Sequence, residues 1–286
     1  MSCSFVMESS VHVPAAWKNL SRDLAPGSVL VVGATDMGKS TFAIWLTNTL
    51  VAMGERAGLL DADMGQPSIG IPGALSLALP VVGASGSLHV TASWFVGDTS
   101  PVRHMLPVLA GLQRLRDHAV ECGVSRLIID TTGFVSRQGG GVALKRWKAE
   151  LLRPGCIVAM RKGGELEEML EPWRADSRFR LLELPASEFA RPRSQEQRAS
   201  RRREQWRKAF TACTELVVPR QGLAMYESER LRPGRLAGLV DAWGFLQSPG
   251  IVKYVSHEAI TLLVPSGSLP RPVAIWGGDV EVDLAT

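Results

Sequence analysis

The sequence predicts an α/β fold in which helices cover both faces of a mostly parallel sheet, followed by a small β-rich C-terminal unit. Short apolar runs alternate with longer segments of helical period up to about residue 214. The first run, residues 28–32, is β-branched and bounded by glycine, which is the pattern of a buried parallel strand. Beyond residue 214 only short strand-like runs follow, with turn residues between them.

The predicted elements begin with a short amphipathic helix at residues 15–24. The strands of the main sheet are then predicted at residues 28–32, 57–61, 126–130, 156–160 and 179–184. The helices between them are predicted at residues 39–51, 101–120, 142–152 and 165–173. The β-rich unit should hold strands at residues 216–218, 236–241, 250–256, 259–264 and 273–276. We therefore predict two domains, residues 1–214 and 215–286, although residues 214–218 could instead close the main sheet.

The composition of the 286-residue chain is that of a folded protein, with 45% hydrophobic and 21% charged residues. The sequence has no run of about 18 or more apolar residues, so no membrane span is expected. Residues 1–13 lack the features of a secretory signal. The four cysteines show no C-x-x-C spacing, so neither a zinc site nor a disulfide framework is expected. These features together predict a cytoplasmic protein.

The strongest motif occupies residues 33–41 and fits the pattern G-x-x-x-x-G-K-[ST] in full. It lies between a predicted strand and a predicted helix, the context that a phosphate-binding loop (P-loop) requires. All nine residues are predicted to surround the phosphates of a nucleotide: Gly33, Ala34, Thr35, Asp36, Met37, Gly38, Lys39, Ser40 and Thr41. Lys39 would reach the β- and γ-phosphates and the Ser40 hydroxyl would bind Mg²⁺. The motif thus predicts a P-loop NTPase.

Carboxylates follow two of the predicted strands. Asp61 and Asp63 come at the end of the second strand, two residues apart in an extended segment, so their side chains should point the same way. Asp130 ends the strand at residues 126–130, a position suited to binding Mg²⁺. A hydroxyl nucleophile needs a base or an orienting carboxylate. Asp61 and Asp130 are the predicted metal residues, and either Asp61 or Asp63 could act as the base.

A basic stretch follows the main sheet. Eight basic and three acidic residues lie between Glu188 and Lys208, so this window carries a net charge of +5 and the rest of the chain about −1, against +4 for the whole chain. The spacing from Ser194, a candidate N-cap, to Phe210 suits a helix, and Arg198 and Arg202 lie one turn apart on it. Arginines on such a helix can bind phosphate. We predict a lid helix at about residues 193–210, although a solvated charged helix is the alternative.

Four segments in this order resemble the polynucleotide 5′-hydroxyl kinases, a family that includes kinases of messenger-RNA 3′-end and ribosomal-RNA processing. They are GATDMGKST, DADMGQPSIGIPG, FVGDTSP and RSQEQRASRRREQWRKAF. The D-x-D-x-G-Q sequence after a P-loop is far more specific to this family than the P-loop itself. The resemblance covers about residues 14–265. It implies a kinase that transfers the γ-phosphate of ATP or GTP to the 5′-hydroxyl end of RNA or DNA, with Mg²⁺ as cofactor.

The resemblance also implies roles for individual residues. Lys39, Asp63 and the lid arginines Arg193 and Arg198 would be catalytic. The substrate would be held by Gln66, by Arg202 and by a clasp, which we define as Thr131, Thr132, Gly133 and Phe134. The clasp of the family usually ends in tryptophan, so Phe134 should weaken stacking on the terminal base. The chain lacks the large N-terminal domain of eukaryotic members, which predicts a kinase with no obligate protein partner.

Two other functions fit parts of the sequence. A regulatory P-loop ATPase or GTPase that acts on a protein would share the sheet and the nucleotide site. An inert RNA-binding module could retain a nucleotide without turning it over. The intact Lys39 and Asp63 and the paired lid arginines favour a kinase over an inert module, and the basic lid favours a polynucleotide over a protein substrate. RNA and DNA both remain open as substrates.

Overall fold

The computed structural model describes residues 13–81, 87–186, 191–267 and 269–283, and within them it confirms the predicted α/β fold with its β-rich C-terminal unit. The main sheet has seven strands in the order β4-β3-β2-β5-β1-β6-β7. Their bounds are β1 Gly27–Gly33, β2 Ala57–Ala62, β3 Ala74–Pro80, β4 Leu88–Phe95, β5 Arg126–Thr131, β6 Cys156–Arg161 and β7 Arg180–Pro185. Strands β2, β5, β1, β6 and β7 are parallel. The antiparallel pair β3–β4 at the edge was not predicted from the sequence.

Helices pack on both faces of this sheet, as predicted. One face is covered by α1 Ala15–Asp23 and α2 Lys39–Ala52, and the other by α3 Met105–Glu121, α4 Gly141–Leu152 and α5 Glu167–Ala175. Trp17 on α1 is buried and packs edge-on against Phe42, with ring centroids 5.0 Å apart. Its place is in the core between α1 and α2, which explains why α1 is amphipathic.

Helix α3 begins later than the sequence predicts, at Met105 rather than at residue 101. The Asp98 carboxylate accepts hydrogen bonds from the amides of Thr99 and Ser100, which holds the preceding segment in a turn. Arg103 then takes a left-handed conformation with φ of 67°. A residue in that region cannot continue a right-handed helix, so the helix starts after it.

The C-terminal sheet has six strands in the order β8-β12-β11-β10-β13-β9. Their bounds are β8 Cys213–Pro219, β9 Ala224–Tyr226, β10 Arg235–Val240, β11 Leu246–Val255, β12 Ala259–Pro265 and β13 Ala274–Glu281, with a short 3-10 helix at Ser228–Arg230. Strand β8 pairs antiparallel with β12, so the alternative in which residues 214–218 close the main sheet is wrong. The division into domains of residues 1–214 and 215–286 stays a prediction.

Helix α6, Gln195–Ala209, is the predicted lid helix. Ser194 forms a capping box: its hydroxyl accepts a hydrogen bond from the Gln197 amide at 3.1 Å, and the Gln197 side chain accepts one from the Ser194 amide. Trp206 and Phe210 at the other end of α6 are buried in an apolar cluster with Phe95 of the main sheet and with residues of the second sheet, Leu236, Ile251, Val280 and Val282. The C-terminal end of α6 is therefore fixed where the two sheets meet.

The two sheets also meet through close backbone contact. A Cβ atom at Gly97 would lie 2.8 Å from the Cα atom of Gly278, so neither position has room for a larger residue. Nearby, His104 lies 3.4 Å from a carboxylate oxygen of Asp98 and 3.4 Å from one of Asp279. Among the described helices, none is long and apolar enough to cross a lipid bilayer.

Candidate nucleotide and phosphoryl-transfer site

The P-loop connects the carboxyl end of β1 to the start of α2, where the sequence predicts it. A Cβ atom at Gly33 would lie 2.5 Å from the carbonyl oxygen of Met160, so only glycine fits against the neighbouring strand β6. Gly38 caps α2 in a left-handed conformation with φ of 88°. The loop therefore presents the first amides of α2, and the positive end of its dipole, to an anion.

Lys39 is buried inside this loop, and only 6% of the residue is exposed. Its ammonium group donates a hydrogen bond of 2.7 Å to the carbonyl oxygen of Ala34. Burial lowers the pKa of Lys39, while the nearby carboxylates of Asp130, Asp63 and Asp36 raise it and so oppose that effect. The loop thus holds the Lys39 ammonium among carboxylates, and this ammonium can bind phosphate oxygens.

The clasp lies directly against the P-loop. The Thr131 hydroxyl donates a hydrogen bond of 2.7 Å to the carbonyl oxygen of Val31 on β1. Gly133 approaches Thr35 so closely that a Cβ atom there would lie 2.5 Å from the Thr35 Cα atom. The Phe134 ring is partly exposed at the rim and packs over Gly139. The structure therefore brings the predicted clasp and the predicted nucleotide-binding loop together.

Asp61 and Asp63 have different surroundings, although both follow β2. Asp61 is buried, and its two oxygens accept hydrogen bonds from the amides of Asp63 at 2.9 Å, Ser68 at 2.6 Å and Ile69 at 3.2 Å. Burial raises the pKa of Asp61 well above its usual value, and the nearby Asp130 and Asp63 add to that effect. The carboxylate of Asp61 is therefore engaged in holding the loop at residues 63–69.

Asp63 is only partly buried, and one of its oxygens accepts hydrogen bonds from the amides of Gly65 at 3.0 Å and Gln66 at 2.9 Å. Within the described ranges the other oxygen, Oδ2, has no hydrogen-bond partner in the chain. A carboxylate fixed through one oxygen leaves the second for a substrate hydroxyl. This geometry favours Asp63 over Asp61 as the base.

We expect Asp61→Asn to lower the free energy of unfolding by about 1–3 kcal/mol. Asparagine has one oxygen, and its NH₂ group would face amides that need an acceptor. Urea unfolding measures the change, with Asp117→Asn as the matched control, because Asp117 is exposed on α3 and contacts only Gln113 and Arg116. Equal stability of the two variants would contradict the role of Asp61 in the loop.

Asp130 fits the role of a magnesium ligand. Both of its oxygens are buried and, in the part of the chain that the structure describes, neither receives a hydrogen bond of good geometry. The pKa of Asp130 is raised to about 6 by burial, although Lys39 and the nearby Ser40 hydroxyl lower it. A buried carboxylate that accepts no well-aligned hydrogen bond and lies beside a serine hydroxyl forms an oxygen-rich site of the kind Mg²⁺ uses. Ser40 and Asp130 are therefore better candidate ligands than Asp61, whose oxygens are already engaged.

Two buried lysines on α4 were missed by the sequence analysis. Lys145 donates to the Thr131 hydroxyl at 2.8 Å and to the Thr132 carbonyl oxygen. The ammonium group of Lys148 is buried, with no hydrogen-bond partner among the described residues. Burial lowers the pKa of Lys148 to about 8, and the carboxylates of Asp63, Asp130 and Asp61 oppose this shift. Both lysines occupy the buried stripe of α4 with Leu144, Ala149 and Leu152, and this helical spacing was a usable signal.

The lid helix packs on the acceptor loop, defined as residues 63–72. The Gln66 side chain donates to the Arg198 carbonyl oxygen at 3.0 Å, Gln205 donates to the Pro67 carbonyl oxygen at 2.8 Å, and the Trp206 indole donates to that of Pro72 at 3.1 Å. These contacts run along one side of α6. They bring its arginine-bearing end to the mouth of the P-loop.

The three lid arginines that were predicted to bind phosphate or substrate differ in their placement. Arg198 forms an ion pair of 2.8 Å with Asp36. The Arg193 side chain is exposed and Arg202 is half-buried, and neither side chain has a hydrogen bond or ion pair within the described parts of the chain. The structure therefore brings Arg198 into the site and leaves Arg193 and Arg202 at its edge.

One cluster of ligand-type side chains lies away from this site. Asp98, His104 and Asp279 have ligand atoms within 4.8 Å of one another. The Arg230 guanidinium lies 3.2 Å from Asp279 and 3.5 Å from the His104 ring. A cation is thus already supplied by the chain, and the cluster is an ion-pair network that joins the two sheets.

Comparison with known proteins identifies relatives among RNA kinases. The chain is 35% identical over 187 residues to the polyribonucleotide 5′-hydroxyl-kinase of Methanocaldococcus jannaschii, covering 65% of this chain and 50% of that protein. It is 36% identical over 189 residues to that of Thermococcus kodakarensis, covering 65% and 52%. The protein CLP1 homolog of Nematostella vectensis is 30% identical over 205 residues. The chain spans about half the length of the curated relatives it matches.

Two solved structures share the fold across both sheets. A complex of wild-type Clp1p with Pcf11p superposes with a TM-score of 0.69 at 12% identity, covering 93% of this chain and 77% of Clp1p. A second structure, of the interface between Pcf11p and Clp1p, has a TM-score of 0.67 at 11% identity. The prediction of no obligate protein partner is wrong, because both solved structures that share this fold contain Clp1p together with a protein partner, Pcf11p.

The family model described as "mRNA cleavage and polyadenylation factor CLP1 P-loop" matches residues 33–212. The matched segment contains the P-loop, the acceptor loop, the clasp and the lid helix, which are the elements that form the site. It therefore includes all the residues predicted for nucleotide binding, phosphoryl transfer and the clasp. The chain belongs to the CLP1 P-loop family.

Proposed function

We propose that this chain is a polynucleotide 5′-hydroxyl kinase, which transfers the γ-phosphoryl group of ATP to the 5′-hydroxyl end of an RNA or DNA strand. The observation that carries the proposal is the meeting of three elements at one edge of the sheet: the buried Lys39 of the P-loop, the half-engaged carboxylate of Asp63, and Arg198 of the lid. Relatives named polyribonucleotide 5′-hydroxyl-kinases support the same activity.

In this proposal the P-loop amides and Lys39 bind the triphosphate, and the Lys39 ammonium offsets charge on the β- and γ-phosphate oxygens. Ser40 and Asp130 would hold Mg²⁺, which supplies charge neutralisation for the departing diphosphate. Oδ2 of Asp63 accepts the proton of the substrate 5′-hydroxyl while the oxygen of that hydroxyl bonds to the γ-phosphorus. The bond from that phosphorus to the β-phosphate oxygen breaks, and the nucleoside diphosphate leaves.

In the proposed reaction the clasp and the acceptor loop have separate roles. Phe134 is partly exposed, so its ring can stack on the terminal base, while the backbone of the adjacent Gly133 packs against Thr35 of the P-loop. Gln66 ties the acceptor loop to the lid through the carbonyl oxygen of Arg198. Its side-chain nitrogen therefore helps to keep Asp63 and Arg198 in one arrangement.

A phosphate-transfer assay with labelled γ-phosphate tests the proposal, using matched 5′-hydroxyl and 5′-phosphate oligonucleotides of RNA and DNA. We expect label on the 5′-hydroxyl strands alone, and none with Lys39→Ala, which removes the P-loop cation. Release of labelled phosphate at a rate that no oligonucleotide changes would instead indicate a regulatory ATPase. Comparison of the RNA and DNA strands then decides the substrate.

Oligonucleotide binding should weaken with salt, because the basic lid would release counterions from the bound strand. Each phosphate neutralised on a single strand contributes about −0.7 to the slope of log affinity against log salt concentration. A few contacts predict a slope of roughly −2. Fluorescence anisotropy with a labelled strand at several salt concentrations measures this slope. A flat response would contradict a polynucleotide substrate.

A further inference from the structure

We infer that Asp36 is a positioning residue, which holds the lid arginine Arg198 at the mouth of the P-loop and releases it to the nucleotide. The inference rests on the proposed function only in that a nucleoside triphosphate binds the P-loop. Asp36 stands in the P-loop motif at a position where the motif itself requires no particular side chain. A carboxylate beside a triphosphate site repels the ligand unless a nearby positive charge pairs with it.

The contacts of Asp36 show which positive charge pairs with it. One carboxylate oxygen, Oδ2, accepts hydrogen bonds from the Arg198 guanidinium at 2.8 Å and from the Arg193 backbone amide at 2.9 Å. Both donors belong to the start of the lid, 157 or more residues along the chain. The backbone at Asp36 is left-handed, with φ of 59°, a conformation that aspartate and asparagine tolerate better than most residues. The loop thus aims one acidic side chain at the lid.

Charge and burial support the pairing. The side chain of Asp36 is 13% exposed and that of Arg198 is 28% exposed, so water screens the pair only in part. Burial alone would raise the pKa of Asp36, but the Arg193 amide and the Arg198 guanidinium hold it below its usual value. Asp36 is therefore charged at neutral pH, and its oxygen is the same type of acceptor for arginine as a phosphate oxygen.

These contacts have a consequence for the reaction cycle. Arg198 can pair with Asp36 or with the γ-phosphoryl group, both of which lie at the P-loop. When a triphosphate binds, Arg198 exchanges one anionic partner for another, and the guanidinium moves only a short way. Once the phosphoryl group has been transferred, Asp36 recaptures Arg198. The carboxylate keeps the lid docked between cycles, at the cost of competing with the nucleotide for the arginine.

The other lid contacts explain why this pair controls only one end of α6. Gln205 and Trp206 bind the carbonyl oxygens of Pro67 and Pro72 further along the helix and do not depend on Asp36. In the first turns of α6, where Arg198, Arg201 and Arg202 lie, Gln66 still binds the Arg198 carbonyl oxygen. Loss of the Asp36 charge should therefore loosen those turns and leave the C-terminal end of α6 in place. Those turns contain several sites for trypsin.

The test is the rate at which trypsin cuts α6 in Asp36→Asn, with and without a non-hydrolysable ATP analogue. Asparagine keeps the size and the left-handed backbone of Asp36 and removes its charge. Without nucleotide we expect cleavage about fivefold faster than in the wild type. With saturating analogue, whose phosphates now hold Arg198, the two proteins should be cut at the same rate. The analogue should bind Asp36→Asn at least about threefold more tightly than it binds the wild type.

Two further variants make the result specific. Arg198→Ala should open the lid as much as Asp36→Asn does, and the double variant should be cut no faster than either single one, because the two side chains act as a pair. Asp117→Asn, which makes the same chemical change on α3, should match the wild type. Faster cleavage of Asp36→Asn that persists with bound analogue, additive single effects, or weaker analogue binding would each overturn the inference. A failure of the analogue to bind the wild type would instead count against the proposed nucleotide site.

Discussion

Arg198→Ala is expected to lower kcat for phosphoryl transfer by about 10³ to 10⁵, the range found for arginines that bind a phosphoryl group during transfer. Arg198 is the lid arginine that the structure places at the P-loop, where it pairs with Asp36 at 2.8 Å. Its charge meets charge that develops on the γ-phosphoryl group, so its loss should act on the transition state and change nucleotide affinity much less. Single-turnover transfer and equilibrium nucleotide binding separate the two effects.

Arg203→Ala is the matched control for this prediction. Arg203 lies on the same helix and is exposed, with no ion pair or hydrogen bond in the part of the chain that the structure describes. Its replacement removes the same charge and should leave kcat within a small factor of the wild type. Oligonucleotide binding should weaken in both variants, because each deletes a positive charge. If Arg198→Ala and Arg203→Ala transfer phosphate equally well, α6 is a solvated charged helix and not a catalytic lid.

Asp63→Asn should lower kcat by about 10² to 10⁴, the usual range for the loss of a general base. Asparagine keeps the oxygen that accepts the amides of Gly65 and Gln66, so the acceptor loop should remain folded. What it loses is the negative charge of the carboxylate, whose other oxygen, Oδ2, is proposed to accept the proton of the substrate hydroxyl. Nucleotide binding and oligonucleotide binding should both stay close to wild type, in contrast to Arg198→Ala.

The same assay distinguishes Asp63 from its neighbours. Near-wild-type transfer by Asp63→Asn would place the base elsewhere, with Asp61 the first candidate and Asp130 the next. Unfolding measurements must accompany the Asp61 variant, because three backbone amides depend on that carboxylate and a loss of activity could follow from a loss of the loop. Asp63 has no such structural burden beyond the two amides that asparagine still serves.

The sequence predicted most of the main sheet because its parallel strands are buried on both faces and so stand out as continuous apolar runs. Strand β1 and helix α2 were predicted to within about two residues, since the P-loop motif fixes the junction between them. The hairpin of β3 and β4 was missed. Its strands lie at the sheet edge, and their antiparallel pairing depends on contacts that only the folded chain makes.

The sequence named the residues that the structure brings together at the candidate site, but not which of them hold the loops in place. Motif spacing identified Asp61 and Asp63 together, but spacing cannot tell which carboxylate accepts the loop amides. That difference follows from how residues 63–69 fold back over β2. Lys145 and Lys148 were missed because lysines are ordinarily assigned to solvent, although their positions on α4 fall within its apolar stripe. The pairing of Asp36 with Arg198 could not be predicted from the sequence, because it depends on the tertiary contact between the lid and the P-loop.

The burial of Trp206 and Phe210 between the two sheets matters for the design of a shorter version of this protein. A protein truncated at residue 214 would keep the whole of α6 but lose its apolar partners Leu236, Ile251 and Val280. Two large aromatic side chains would then face water, at a cost of about 1.5–3 kcal/mol for each. We expect such a fragment to aggregate and to hold its lid helix loosely over the nucleotide site. A shorter recombinant version of the chain therefore has to include the second sheet.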